Sequence, residues 1–325
     1  MGQLTDIFDR DVVMSYQTQD PIKRSPFFQT GVAQTSPKLA ALLAAGSQTF
    51  TVPYVGGIDG NLEANYSNTI YTDIAVPRGI SGKEMAGRVA YLNEGFYEAS
   101  LERYLTGVSP LQALAKYIDG VWDKQLEVRF IATLNGIRGA AGAAITTTKT
   151  TAYDVNAFLE AEGTLPTDMQ YTGAMVVHPV IATKMRTQNL IEKVTTSADL
   201  PPVEFYNGRR VIVSANGTKA GTDYITILLN DGAFSVEGMR GDNDLEMVRS
   251  PQRGNGGGVN ELWTRYNALI HPTGFSFIAD PATLTGGTTN ESISASWADL
   301  NNKANWQLTL DAAEQVPVRF LITKA

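Results

Sequence analysis

The hydrophobic positions of this chain change period along its length. In "SPLQALAKYIDGVWDKQLEVRFIATLNG" (109–136), Leu111, Leu114, Ala115, Ile118, Trp122, Leu126, Phe130 and Leu134 recur at the spacing that lines one face of an α-helix. Ser109 suits the N-cap, Pro110 the first turn and Gly136 the exit, so the pattern predicts one helix over 109–136, roughly 40 Å long at 1.5 Å per residue. From about residue 203 the period falls to two. "VEFYNGRRVIVSA" predicts a hairpin, because Asn207-Gly208 supplies the two positive φ angles of a type I′ turn. "TDYITILL", "GAFSVEG", "DLEMVRS", "NELWTRYNALI" and a closing "VPVRFLIT" continue as strands. Shorter helices are predicted over 36–46 (capped by Ser36, left at Gly46), 151–163 (capped by Thr151), 179–191 (begun by Pro179) and 296–306. "GAAGAAITTTKTT" (139–151) and "PQRGNGGG" (251–258) are predicted as loops. The fold class is α+β.

Residues 49–95 break this rhythm. "TFTV" alternates and "KEMAGRVAYL" has strand character, but about thirty residues rich in Gly, Asn, Ser and Pro lie between them. A structureless loop of that length is unusual in a compact domain. This one carries Tyr54, Val55, Ile58, Tyr66, Ile70, Tyr71 and Ile74, residue types that disordered linkers lack. We therefore expect an extended two-stranded arm that buries its apolar residues against another subunit.

Composition narrows the function. With 325 residues and 43% hydrophobic content the chain can bury a sizeable core. Its net charge of −7, without runs of like charge, argues against a dedicated nucleic-acid surface; Arg209-Arg210 and Arg249/Arg253 are the nearest to clusters. It has no cysteine, which excludes disulfides, thiolate metal sites and cysteine nucleophiles. No apolar run approaches membrane-spanning length, and no export signal is read at the start.

Candidate chemistry is sparse. The two histidines, His178 and His271, each follow an apolar run and precede a proline, so they read as strand-end punctuation rather than a metal or catalytic pair. "RGNGGG" lacks the Lys-Ser/Thr and following helix of a phosphate loop. Asp242, Asp244 and Glu246 alternate as on a solvated strand face and lack calcium-loop spacing. No catalytic, cofactor-binding or metal-ligating residue is assigned, no cofactor is implied, and an enzyme is not expected.

The order of elements is more informative. "LTGVSPLQALAKYIDGVWDKQLEVRFIATLNGI", "VVHPVIATKMRTQNLI", "ALIHPTG" and the late Asn305-Trp306 follow an N-terminal arm and a protruding hairpin. That succession resembles the major capsid proteins of tailed double-stranded DNA bacteriophages, which have the Hong Kong 97-type fold. The resemblance runs from about residue 48 to 323. "TGGTTNESISASWADL" departs from the usual lead-in to the last helix. The resemblance implies an N-terminal arm (1–48), an extended hairpin arm (49–95) and a peripheral domain (96–191) with its spine helix at 109–136. It implies further an axial domain (192–262), with "PQRGNGGG" at its tip, and a return to the peripheral domain (263–325). Implied partners are other copies of the chain in hexamers and pentamers, a separate scaffolding protein, a portal, a decoration or cement protein where one is used, and enclosed double-stranded DNA held non-specifically; no membrane is implied. The implied location is the virion capsid, reached from the host cytoplasm during assembly. An encapsulin-like compartment shell, or an oligomeric enzyme of mixed fold, is the alternative.

Overall fold

The computed structural model describes residues 32–35, 37–55, 63–77, 79, 82–106, 111, 118–194, 202–240, 244–286 and 294–324. Strand β1 (Ala33–Gln34) leads into helix α1 (Pro37–Ala44), which ends where Gly46 takes a φ of 76°. Strands β2 (Thr49–Val55) and β3 (Gly82–Arg88) form an antiparallel pair. Strand β4 (Ala90–Ala99) runs into helix α2 (Ser100–Thr106), and helix α3 spans Ile118–Ala141. There follow β5 (Thr146–Ala152), α4 (Val155–Glu162), β6 (Ala174–Val177) and α5 (Pro179–Thr187). Next come β7 (Glu192–Val194), β8 (Val203–Tyr206), β9 (Arg209–Val213), β10 (Lys219–Ala220) and β11 (Asp223–Leu229). Strands β12 (Phe234–Met239), β13 (Leu245–Ser250), β14 (Val259–Pro272) and β15 (Phe275–Phe277) precede α6 (Trp297–Asn301), β16 (Trp306–Leu308) and β17 (Val318–Lys324).

Two sheets organise these elements. One has five strands in the order β1-β12-β14-β13, with β4 on the other side of β14. The other has eight, β5-β17-β11-β6-β9-β8-β7, with β10 paired to β11. Helix α3 binds them into one core. Its residues Ile118, Trp122, Leu126, Phe130, Leu134 and Ile137 share a buried cluster with Phe234, Leu262 and Tyr266 of the first sheet and with Val176, Ile225, Ile227 and Phe320 of the second. Trp122 stacks on Tyr266 at 5.4 Å and its indole N–H donates to Thr264 at 3.0 Å, while Phe130 meets Phe234 at 4.5 Å. Helices α4 and α5 cover the other face of the eight-stranded sheet, where Phe158, Ile181 and Met185 pack on Met175, Leu228 and Leu321.

Two buried guanidiniums tie loops to this second sheet. Arg209, fully buried, donates to Glu162 at 2.9 Å, to Asn230 and to the carbonyls of Thr172 and Met169; Glu162 also accepts from the Tyr171 amide and from Asn207 in the hairpin turn. Arg319 donates to carbonyls of Thr164, Val316, Val318, Ala313 and Glu314, and burial lowers its pKa to about 10. With each nitrogen bonded, such a group stabilises the loops around it; unpartnered, it would be costly.

Several sequence expectations are corrected. The long helix does not stop at Gly136 but continues to Ala141. Of 109–117 only Leu111 lies among the described residues, helical and buried. Gly136 serves close approach instead of helix exit: a Cβ there would fall on the Leu300 carbonyl and the Trp306 indole. The segment 139–151 is not a loop; it holds the end of α3, a 3₁₀ turn and β5, whose β-branched threonines pair in parallel with β17. Asp154, not Thr151, caps α4, accepting from the Val155 amide at 2.8 Å. Helix α5 ends at Thr187 rather than 191, with Asn189 in the left-handed region. The helix expected over 296–306 is only α6, capped by a Ser296–Asp299 box. Asn207 and Gly208 do take positive φ angles of 50° and 76°, as the type I′ turn requires.

The expected divisions at 191/192 and 262/263 follow neither sheet. Strands β5 and β6 join β8, β9 and β11, whereas β12, β13 and β14 join β4. "PQRGNGGG" is the hairpin turn between β13 and β14, in the five-stranded sheet, and its Gly258 carbonyl accepts from Ser100 at 3.0 Å. Of the expected N-terminal arm, 1–31 and Ser36 lie outside the described residues; β1 pairs with β12, and α1 packs through Leu39 and Leu43 on Leu269.

Gly136→Ala tests the α3 packing. Helix propensity alone would stabilise the variant by about 1 kcal/mol. Overlap with Leu300 and Trp306 should instead destabilise it by about 1–3 kcal/mol, read as a lower urea midpoint at unchanged slope.

Candidate assembly surface

The hairpin arm is rigid at its root. Phe50 of β2 is buried flat over Gly87 of β3, where a Cβ would strike its ring. The Tyr54 hydroxyl donates to the Thr309 carbonyl at 2.7 Å, and the Ala86 amide to the Ser276 hydroxyl at 3.1 Å. Lys83 pairs with Asp311, and the bond raises its pKa. These partners lie about two hundred residues away in sequence, so no local pattern announces them. The two-stranded part ends at Arg88; residues 90–95 of the expected arm belong to β4 in the five-stranded sheet.

Beyond the root the chain turns its apolar side chains outward. Residues 63–77 carry no regular structure, but polar bonds within the segment hold a turn: Asn68 accepts from the Ile70 amide at 2.9 Å, and the Ile70 carbonyl accepts from the Asp73 amide at 3.1 Å. Tyr71 is 100% exposed, Ile74 86% and Tyr66 81%, with Val76 and Ile70 also exposed. Single exposed apolar residues are ordinary, whereas five within eleven residues mark a contact surface. Ile58, expected to contribute, lies outside the described residues.

The histidines are not brought together. His178 follows β6 and caps α5, its Nδ1 accepting from the Val180 amide at 3.2 Å while its ring meets Tyr224 at 4.8 Å. His271 lies inside β14, opposite Ser235, with its ring edge-on to Phe50 at 5.3 Å. Neither of its nitrogens has a hydrogen-bond partner, and burial lowers its pKa to about 4. It is a neutral core residue beneath the arm root. Among the described residues no group of three or more His, Asp or Glu side chains is placed to hold a metal ion. Of the arginine clusters, Arg209 is buried on Glu162 and Arg253 pairs with Glu261. Glu246 pairs with Arg265 at 2.9 Å and Asp244 with Arg240 at 3.5 Å, while Asp242 lies outside the described residues. Among the described residues no helix is long and apolar enough to cross a membrane.

The resemblance implied an extended hairpin arm and a long spine helix within one fold. Comparison with solved structures bears on them directly. The capsid subunit of cyanophage Pam1 superposes with a TM-score of 0.53 over 94% of each chain, at 8% identity. The fold is of the Hong Kong 97 type. Solved structures from Mycobacterium phage Che8 (TM-score 0.47, 12% identity, 90% and 89% coverage) and Microbacterium phage Oxtober96 (0.48, 9%, 74% and 86%) are also similar. In sequence, the chain is 25% identical to the major capsid protein of Bacillus phage SPP1 over 98% of its own length and 97% of the relative's. No protein-family model matches.

Within this Hong Kong 97-type fold, His271 makes stability at the arm root pH-dependent. An unfolded histidine titrates near 6.5 and the folded one near 4, so this contribution is intact above pH 6.5 and is lost as pH falls toward 4. The loss should reach about 3 kcal/mol, seen as a steeper acid-side fall in urea stability for the parent chain than for His271→Leu. Parallel curves would contradict it.

Proposed function

We propose that this chain is a structural, non-enzymatic shell protein that assembles into the hexamers and pentamers of an icosahedral phage head enclosing double-stranded DNA. Similarity to the SPP1 major capsid protein over nearly the whole of both chains carries this reading, and the shared fold supports it. An encapsulin-like shell or an enzyme is not favoured, since the relatives named above are phage proteins. The lobe built on the eight-stranded sheet takes the axial place. The five-stranded sheet with α3 takes the peripheral place. The arm at 49–88 crosses onto a neighbouring subunit, because its exposed tyrosines and isoleucines have no cover among the described residues of their own chain. The net charge of −7 suits a container that repels DNA weakly and leaves it mobile for packaging and release. Scaffolding, portal and decoration proteins would be separate partners, and assembly would take place in the host cytoplasm before the subunit resides in the virion.

Replacing 56–81 by a short turn, which leaves the Tyr54 and Lys83 anchors in place, tests this. The variant should keep the parent's circular dichroism and unfolding midpoint within about 1 kcal/mol, since exposed residues contribute little to the monomer. It should yield no closed shells by electron microscopy under conditions where the parent forms them. Normal shells from the shortened chain would refute the intermolecular arm.

A further inference from the structure

The chain holds four Asn-Gly pairs: Asn135-Gly136, Asn207-Gly208, Asn216-Gly217 and Asn255-Gly256. Such a pair carries a latent reaction. The glycine nitrogen has no side chain beside it and can approach the asparagine's own amide carbon, which makes asparagine a thermolabile residue. Folding decides which pair is free to react. Attack needs a side chain that can turn and a backbone amide that can leave its hydrogen bond, and both depend on local opening.

Three of the pairs are held. Gly136 lies inside helix α3, packed on Leu300 and Trp306, so its nitrogen is fixed in helical backbone. The Asn207 amide donates to Glu162, and Gly208 lies against the Tyr171 carbonyl. The Asn216 amide donates to Glu127 at 2.9 Å, and Gly217 lies against Ile131. The fourth pair differs on each count. Asn255 and Gly256 are exposed in the turn between β13 and β14, and among the described residues the Asn255 side chain has no hydrogen-bond partner. A Cβ built on Gly256 would meet no atom within 4 Å. The Gly256 amide donates to the Gln252 carbonyl at 3.3 Å, a weaker bond than the 3.0 Å one from Gly258 to Arg253. Asn255 itself sits at a φ of 54°, where a side chain is disfavoured, so opening the turn relieves it.

We propose that Asn255 is a site of self-modification in the folded chain. The Gly256 nitrogen gives its proton to hydroxide and attacks Asn255 Cγ. A C–N bond forms, the Cγ–Nδ2 bond breaks, and the leaving group takes a proton from water to depart as ammonia, which restores the hydroxide. Water then opens the succinimide at either carbonyl. One product is aspartate; the other is isoaspartate, with the backbone rerouted through the side chain. The new carboxylate lies close in sequence to Arg253, which already pairs with Glu261, and adds one negative charge to the chain's −7. The reaction belongs to the chain alone, whatever it assembles into, so each copy acquires the mark with age.

Incubating the purified parent chain at mildly alkaline pH, with tryptic peptides followed by mass spectrometry, tests this. Peptide 254–265 should gain the amide-to-acid mass difference at residue 255 and separate into aspartate and isoaspartate forms. It should react at least about tenfold faster than the other three sites, the restraint that a hydrogen bond to a carboxylate places on Asn207 and Asn216. The rate should climb with hydroxide, and in urea the four rates should converge. Asn255→Gln should remove most of the ammonia released by the folded chain and leave its unfolding midpoint unmoved. Equal rates at the four pairs in the folded chain, a lead by Asn207 or Asn216, or an amide at 255 that survives folded but reacts in urea would each overturn the site.

Discussion

The packing of helix Ile118–Ala141 against both sheets is the contact on which the rest of the structure depends. Its apolar face closes a core drawn from strands far apart in the chain, from Val176 to Phe320. Neither sheet could bury its inner face alone, since what each lacks is the other and the helix between them. Gly136 extends the same logic, letting the segment from Leu300 to Trp306 lie directly on the helix, where the Trp306 indole donates to the Leu300 carbonyl at 2.8 Å.

A body closed in this way leaves the tip of the arm, residues 63–77, without apolar cover among the described residues. The root is fixed on the body by Phe50, Tyr54, Lys83 and Met85. His271 lies beneath that root without a hydrogen bond, so protonating it would disfavour the packing of Phe50 there.

Elements with strong local signals were legible in the sequence. The Asn207-Gly208 turn, the periodicity of α3 and the alternating strands after residue 203 needed only nearest neighbours to read. Gly136 misled because a glycine that ends a helix and one that admits a neighbour look alike without knowledge of Trp306. The threonines of β5 looked like a loop because their partner, β17, lies at the other end of the chain. The division of the chain between sheets was hidden for the same reason: Ala174 pairs with Arg210 and Val259 with Ala99, and no window of sequence holds both members. The apolar arm was legible as an anomaly of composition.

Amide hydrogen exchange, followed in unassembled subunits and in assembled particles, tests most directly that the arm is completed by another copy. Amides of residues 63–77 should exchange fast in the free subunit and become protected on assembly, while those of α3 stay protected in both states. Equally fast exchange of 63–77 in the two states would contradict an intermolecular arm.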